Sequence, residues 1–187
     1  MEIFVLFLLK LRTHLSGKIQ RPQRTHQSVA ACFFPSQCHT LRNAFTAESQ
    51  QTKPLCHLHL DLIAGLPYED LESFGRSFDT VMQIRPQQMQ LGFLKVLKGS
   101  PIYYDREKFA IVYQDRAPYE VLFTDWVSYM DVLKLKRVED MTERYYNSMQ
   151  FEASLPYIIS FFDTPFDFFM QIGNFYKKMG YEGIHQS

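Results

Sequence analysis

Cysteine is scarce in this 187-residue chain: only Cys32, Cys38 and Cys56 occur. Three unevenly spaced thiols make no disulfide framework, so a stapled secreted scaffold is excluded and a reducing, cytoplasmic setting is expected. An excess of either charge is also missing, with 20 basic residues against 20 acidic ones. A dedicated nucleic-acid binder would show a broad positive field, so the expected partners are small molecules or protein and not nucleic acid. Long apolar runs are lacking near the start of the chain. The run from Ile3 to Leu9 is too short to cross a bilayer of about 30 Å. It also lacks the positive leading region and small-residue cleavage site of a secretory signal. No membrane partner is expected. Acidic residues are absent from Lys10 to Ala47, where Lys10, Arg12, Lys18, Arg21, Arg24 and Arg42 are basic; organellar transit peptides show the same bias. There is no nucleophile elbow, phosphate loop or dinucleotide fingerprint.

Aromatic residues are plentiful at 16%, and most lie beyond residue 66 at helical spacing, which marks them as core. Before Cys56, apart from the first dozen residues, no period of 3.6 or 2 is sustained, so residues 1–56 form an unassigned lead-in. From His57 the pattern sharpens. Leu58, Leu60 and Leu62 alternate with His57, His59 and Asp61, the period of a strand with one polar face. Leu66-Pro67 ends that strand. Leu71, Phe74, Phe78 and Val81 follow as the stripe of an amphipathic helix, which Arg85-Pro86 stops because proline disfavours helical backbone in the residue before it. A second strand is expected from Gln88 to Val96, with Met89, Leu91 and Phe93 opposite Gln88, Gln90 and Gly92. Strand, helix and strand in this order form the parallel crossover unit. Two strands that each keep a polar face suit a barrel lined for a ligand better than a sheet covered on both sides.

Beyond the turn at Gly99-Ser100-Pro101, Phe109 to Tyr113 and Tyr119 to Phe123 read as two short strands joined through Gln114 to Pro118. From Ser128 the chain reads as helical. Ser128 and Asp131 have the spacing of a capping box, Met130, Leu133, Val138, Met141 and Tyr145 are placed on one face, and Asp140 pairs with Arg144. Ser154 is expected to cap a short apolar helix running through Ile159 to Asp163. The last helix has Thr164 as cap, Pro165 in first position and Asp167 completing the box. Phe168, Phe169, Ile172, Tyr176 and Met179 form its stripe, Lys177 and Lys178 lie in its last turn and Gly180 follows.

The segment Asp61-Leu62-Ile63-Ala64-Gly65-Leu66-Pro67-Tyr68-Glu69 resembles the late-strand motif of radical S-adenosylmethionine enzymes. At the carboxyl end of a barrel strand, Gly permits close backbone approach and Pro sets the exit turn, so apolar atoms can rest on an adenine. Gln90 to Pro101, with its Lys98-Gly99-Ser100-Pro101 turn, resembles the last barrel strand of cobalamin-binding radical S-adenosylmethionine proteins. Ala117 to Phe123, Leu135 to Met141 and Tyr145 to Phe151 resemble the uncharacterised domain that ends one subgroup of them. The resemblance spans about residues 57 to 180. It implies an α/β fold: a carboxy-terminal portion of a partial (β/α) barrel over 57–104, then a mainly helical domain over 105–187. It also implies S-adenosylmethionine, a [4Fe-4S] cluster and cobalamin in the parent enzyme, with radical or methyl-transfer chemistry on a small-molecule substrate. Within this chain it implies that Ile63, Gly65 and Leu66 contribute to the adenine pocket.

The same family holds its cluster on an amino-terminal Cys-x3-Cys-x2-Cys loop, because three thiolates must reach three irons from one short segment. Cys32, Cys38 and Cys56 do not have that spacing, so the chain is expected to be a fragment that binds none of these cofactors fully and is inactive alone. Two other readings stand beside this one. The helical region is a non-catalytic cap or protein-binding module, or Cys32, Cys38, His39, Cys56, His57 and His59 hold zinc, although no cysteine pair has the usual short gap. His59 and Asp61, two apart on a strand, share a face and form either an acid/base pair or a structural pair. Lys95 and Lys98 contact an anionic substrate or are simply solvated. Glu69 is expected to support the start of the helix through its charge. Two parallel strands without neighbours leave open edges, so self-association is expected.

Overall fold

The computed structural model describes residues 58–181. The expectations that fall on residues 1–57, including the zinc ligands Cys32, Cys38, His39, Cys56 and His57, lie outside the described residues. The described part opens with strand β1 (His59–Ala64), helix α1 (Leu71–Ile84) and strand β2 (Gln88–Phe93). The strands pair in parallel, His59 beside Gln88 through Ala64 beside Phe93, so the crossover unit expected from the alternating pattern is present. Leu60, Leu62 and Ala64 are buried, as are Met89, Leu91 and Phe93, whereas His59, Asp61, Ile63, Gln88 and Gly92 are half-buried and Gln90 is exposed. Helix α1 buries Phe74, Phe78, Val81 and Met82. Its amino end is fixed by a reciprocal box: the Ser73 N–H donates to Asp70 Oδ1 at 2.7 Å and the Asp70 N–H donates to Ser73 Oγ at 2.9 Å, satisfying donors that the first helical turn leaves open.

β2 ends at Phe93, three residues before the expected Val96. Leu94 still donates its N–H to Ala64, but Lys95 then forms an antiparallel bridge with Glu120 and the Val96 N–H bonds to Tyr119. The backbone donors of this stretch have changed partners, from β1 to the segment ahead of β4. Ser100 caps the one-turn helix α2 (Pro101–Tyr104). Strands β3 (Val112–Tyr113) and β4 (Val121–Phe123) are antiparallel and shorter than their apolar patterns. Between them lie Gln114 to Glu120, with a cis bond at Ala117–Pro118.

The rest is helical: α3 (Tyr129–Met141), a π-helical segment from Thr142 to Asn147, α4 (Leu155–Ile159) and α5 (Pro165–Lys178). Ser128 Oγ accepts from the Asp131 N–H at 3.2 Å, the capping bond its spacing predicts, but the Asp131 carboxylate accepts from the Ser128 hydroxyl at 2.6 Å and does not complete the box. The buried face of α3 is corrected, however. Val132, Leu135, Val138 and Met141 face the core, Leu133 is half-buried, and Met130 is 52% exposed. Ser154 precedes α4 without a side-chain capping bond. In α5, Thr164 Oγ1 accepts from the Asp167 N–H at 3.0 Å. Asp167 does not complete the box, because its carboxylate accepts from Gln171 at 2.7 Å. The Phe166 N–H instead donates at 2.7 Å to Asp79 of α1, so α5 takes part of its cap from another helix. The stripe of α5 is buried through Phe168, Phe169, Ile172 and Tyr176, but Met179 is 47% exposed.

One apolar cluster runs from β1 and β2 through α1, α3 and α5. Phe78 meets Phe169 with ring centroids 5.5 Å apart. Tyr145 and Tyr176 bury their hydroxyls against each other at 2.7 Å, which satisfies both polar tips inside the core. Among the described residues the parallel sheet has two strands and closes no barrel. Its two outer edges differ. Along β2, Asn147 accepts from the Met89 N–H at 3.0 Å and donates to the Met89 carbonyl at 2.8 Å, so one carboxamide makes the two bonds of a neighbouring strand. Along β1 no described strand is paired.

Candidate functional site

The carboxyl ends of β1 and β2 bring together the residues singled out in the sequence. Ile63 stands on the half-buried face, directly beside Gly92. A Cβ placed on Gly92 would have only the Leu62 carbonyl oxygen near it, at 3.8 Å. The absent side chain therefore leaves an open shelf alongside Ile63. Leu66, also half-buried, follows at the exit turn. Gly65 has φ +85, a backbone conformation open to glycine at little cost, and a Cβ on it would lie 2.6 Å from Val121 Cγ1. The close approach that this glycine permits is thus to β4 of the same chain.

The loop after Gly65 is pinned by rings. Tyr68, with φ +67, stacks against Trp126 at 4.7 Å and Phe109 at 5.7 Å. Glu69 next to it is 4% exposed, and its Oε2 has no hydrogen-bond partner among the described residues. Burial first, and the neighbouring Asp70 charge second, raise its carboxyl from 4.5 to about 7. Water is excluded and no donor replaces it, so the proton is retained to near-neutral pH. The side chain that caps α1 is Asp70, and the helix-supporting role expected of Glu69 is reassigned to it. The Asp70 carboxyl is held below its ordinary value by the Ser73 N–H and hydroxyl.

Lower on the same face, His59 Nε2 lies 3.0 Å from Asp61 Oδ1. The contact is close, but its angle makes no hydrogen bond, and neither atom has a hydrogen-bond partner elsewhere among the described residues. The two side chains do share a face, as their spacing predicts. Lys95 and Lys98 are both exposed. Among the described residues no three His, Cys, Asp or Glu side chains form a group that could hold a metal, and no helix is long and apolar enough to cross a membrane.

A cavity of about 510 Å³ lies elsewhere, where the end of α1 faces the π-helical segment and α4. Arg85, Tyr146, Met149 and Glu152 contribute to its lining. Tyr146 donates its hydroxyl to the Pro86 carbonyl, and burial raises that phenol to about 12. Nothing in the alternating pattern pointed here. The available signals were Arg85, which adopts φ +54 without being glycine, and the π-helical turn, both of them features that gather at functional sites.

Residues 107–187 match the family described as "Protein of unknown function (DUF4080)". This stretch begins just after α2 and takes in the helical region, less than half of the chain. No curated protein and no solved structure matches the chain.

Proposed function

We propose that residues 58–181 form the adenine-facing side of a radical S-adenosylmethionine-type site, closed off by the helical region. The shelf where Ile63 stands beside Gly92 at the carboxyl end of a parallel pair carries this reading. Parallel α/β folds place their ligands at that end of the strands. Its support is the β1–α1–β2 crossover, the motif from Asp61 to Glu69, and a carboxy-terminal stretch that falls in a family of unknown function where the resemblance expects an uncharacterised terminal domain.

The residues present fit an adenine. Ile63 and Leu66 offer apolar surface, and Gly92 leaves room for a flat ring. They do not fit an iron–sulfur cluster, because no cysteine lies between residues 58 and 181, and no metal-holding group occurs there. When bound beside a cluster, S-adenosylmethionine supplies radical or methyl-transfer chemistry; the role of this part of the chain is to hold and orient the nucleoside. A three-cysteine loop with the required spacing is not found in these 187 residues. Turnover therefore depends on cluster ligands from outside them.

Ligand-observed NMR with adenosine tests this directly, since it detects weak binding. Binding is expected to the full chain and to be lost in Gly92→Val, whose β-branched side chain suits a strand but fills the shelf. Equal signals from both proteins, or none from the wild type, would contradict the proposal. A second reading is favoured by the contact of Gly65 with Val121: the helical region caps the strand ends against protein alone. That reading expects no adenosine signal at all.

A further inference from the structure

We infer that the outer edge of β1 is an interface for a second copy of this chain, paired antiparallel about a two-fold axis through Leu60. The Gln88 N–H bonds to the Leu58 carbonyl and the Leu94 N–H to that of Ala64. Even-numbered residues of β1 therefore turn their backbone groups toward β2, and His59, Asp61 and Ile63 turn theirs outward. On the opposite edge of the sheet the Asn147 carboxamide occupies both backbone groups of Met89, at the start of β2. An edge strand with free donors and acceptors is a template for another strand.

The composition of this edge fits itself. In an antiparallel pair the outward-facing, odd-numbered residues oppose one another, and one register sets unlike side chains face to face. With Leu60 opposite Leu60 of the second copy, His59 opposes its Asp61 and Asp61 opposes its His59. The neighbouring registers would oppose Asp61 to Asp61 or His59 to His59, and like groups directly across a strand pair are unfavourable. The chosen register also places Leu58 opposite Leu62, so an apolar seam joins the two faces covered by α1. His59 Nε2 and Asp61 Oδ1, which make no hydrogen bond among the described residues, gain partners across the axis. No bound nucleoside is required.

Sedimentation velocity on the full chain reads this out. Wild type is expected at twice the 22.1 kDa chain mass at micromolar concentration. His59→Glu faces Asp61 of the second copy with a like charge, and Asp61→Lys sets a cation against His59. Each is expected to weaken association roughly tenfold or more. The double variant His59→Glu/Asp61→Lys restores unlike pairs and is expected to dimerise again. Amide exchange on the wild type supplies a second measurement should the single variants fail to fold: His59 and Asp61 are expected to be protected in the dimer and to lose protection on dilution. A wild-type monomer overturns the proposal. If its edge amides are protected, other parts of the same chain cover β1; if they exchange freely, the edge stays open. A dimer with freely exchanging edge amides, or one that withstands both single charge changes, overturns it as well.

Discussion

The β1–α1–β2 unit and the helical region from Ser128 to Tyr181 treat polar groups in opposite ways. Polar groups of the helical region find partners, among themselves where Tyr145 meets Tyr176, Thr142 bonds back to Val138 and Asp140 holds Arg144 at 2.7 Å, and in the strand unit where Asn147 meets Met89 and the Phe166 N–H donates to Asp79. The strand unit keeps groups open. Among the described residues His59 and Asp61 touch without a hydrogen bond, Glu69 is buried with one oxygen unpartnered, and the outer edge of β1 pairs with no strand. Buried or half-buried polar groups without partners cost stability. A fold sustains them where packing supplies the difference, here the apolar cluster that runs from β1 and β2 through α1, α3 and α5.

Four measurements would break or sharpen that contrast. The largest effect is expected at Phe169, fully buried between α1 and α5. Phe169→Ala removes the ring that meets Phe78 and should cost about 3–5 kcal/mol in urea unfolding. A cost below 1 kcal/mol would deny the helical region its stabilising role. Next is Glu69. Its folded-state carboxyl is raised from 4.5 to about 7, so between those values the unfolded chain has released a proton that the folded chain retains. Stability attributable to this group is full below pH 4.5, falls as pH rises toward 7, and stays low above. The full shift corresponds to on the order of 3 kcal/mol. Glu69→Gln should therefore gain relative to wild type between pH 4.5 and pH 8, and an unchanged difference would show the carboxyl to be solvated. Asn147→Ala should cost about 2 kcal/mol by exposing two backbone groups of Met89, with faster exchange of the Met89 amide as the site-specific sign. Asp79→Ala removes the α1 side chain that receives the Phe166 N–H and should cost about 1 kcal/mol, measured by thermal unfolding.

Local signals carried much of the fold. The alternation in β1 and β2, the Ser128 and Thr164 caps and the stripe of α5 through Tyr176 follow from neighbours within a few residues, and such patterns are readable in one sequence. Contacts between distant segments were not. Asn147, in the π-helical segment, reaches Met89 across 58 positions. The buried face of α3 was misplaced at Met130 and Leu133 because α5 and the strands, not the helix's own pattern, select which residues turn inward. The end of β2 moved to Phe93 because Lys95 and Val96 pair with Glu120 and Tyr119.

The candidate site divides in the same way. Ile63, Gly65 and Leu66 are named by a contiguous motif. The partnership of Ile63 with Gly92 depends on strand register, the placing of Tyr68 on rings that arrive from Phe109 and Trp126, and the contact of Gly65 with Val121 on a strand more than fifty residues away. The cavity beside Arg85 had no counterpart in the sequence pattern, since its walls come from α1, the π-helical segment and α4.

The central claim is that binding belongs to the carboxyl ends of β1 and β2. Backbone amide NMR on the full chain during titration with adenosine tests it most directly. Shifts are expected to be confined to Ile63, Gly65, Leu66 and Gly92, with α5 unmoved. Shifts centred on Arg85, Tyr146 and Met149, or no shifts at any concentration, would contradict it.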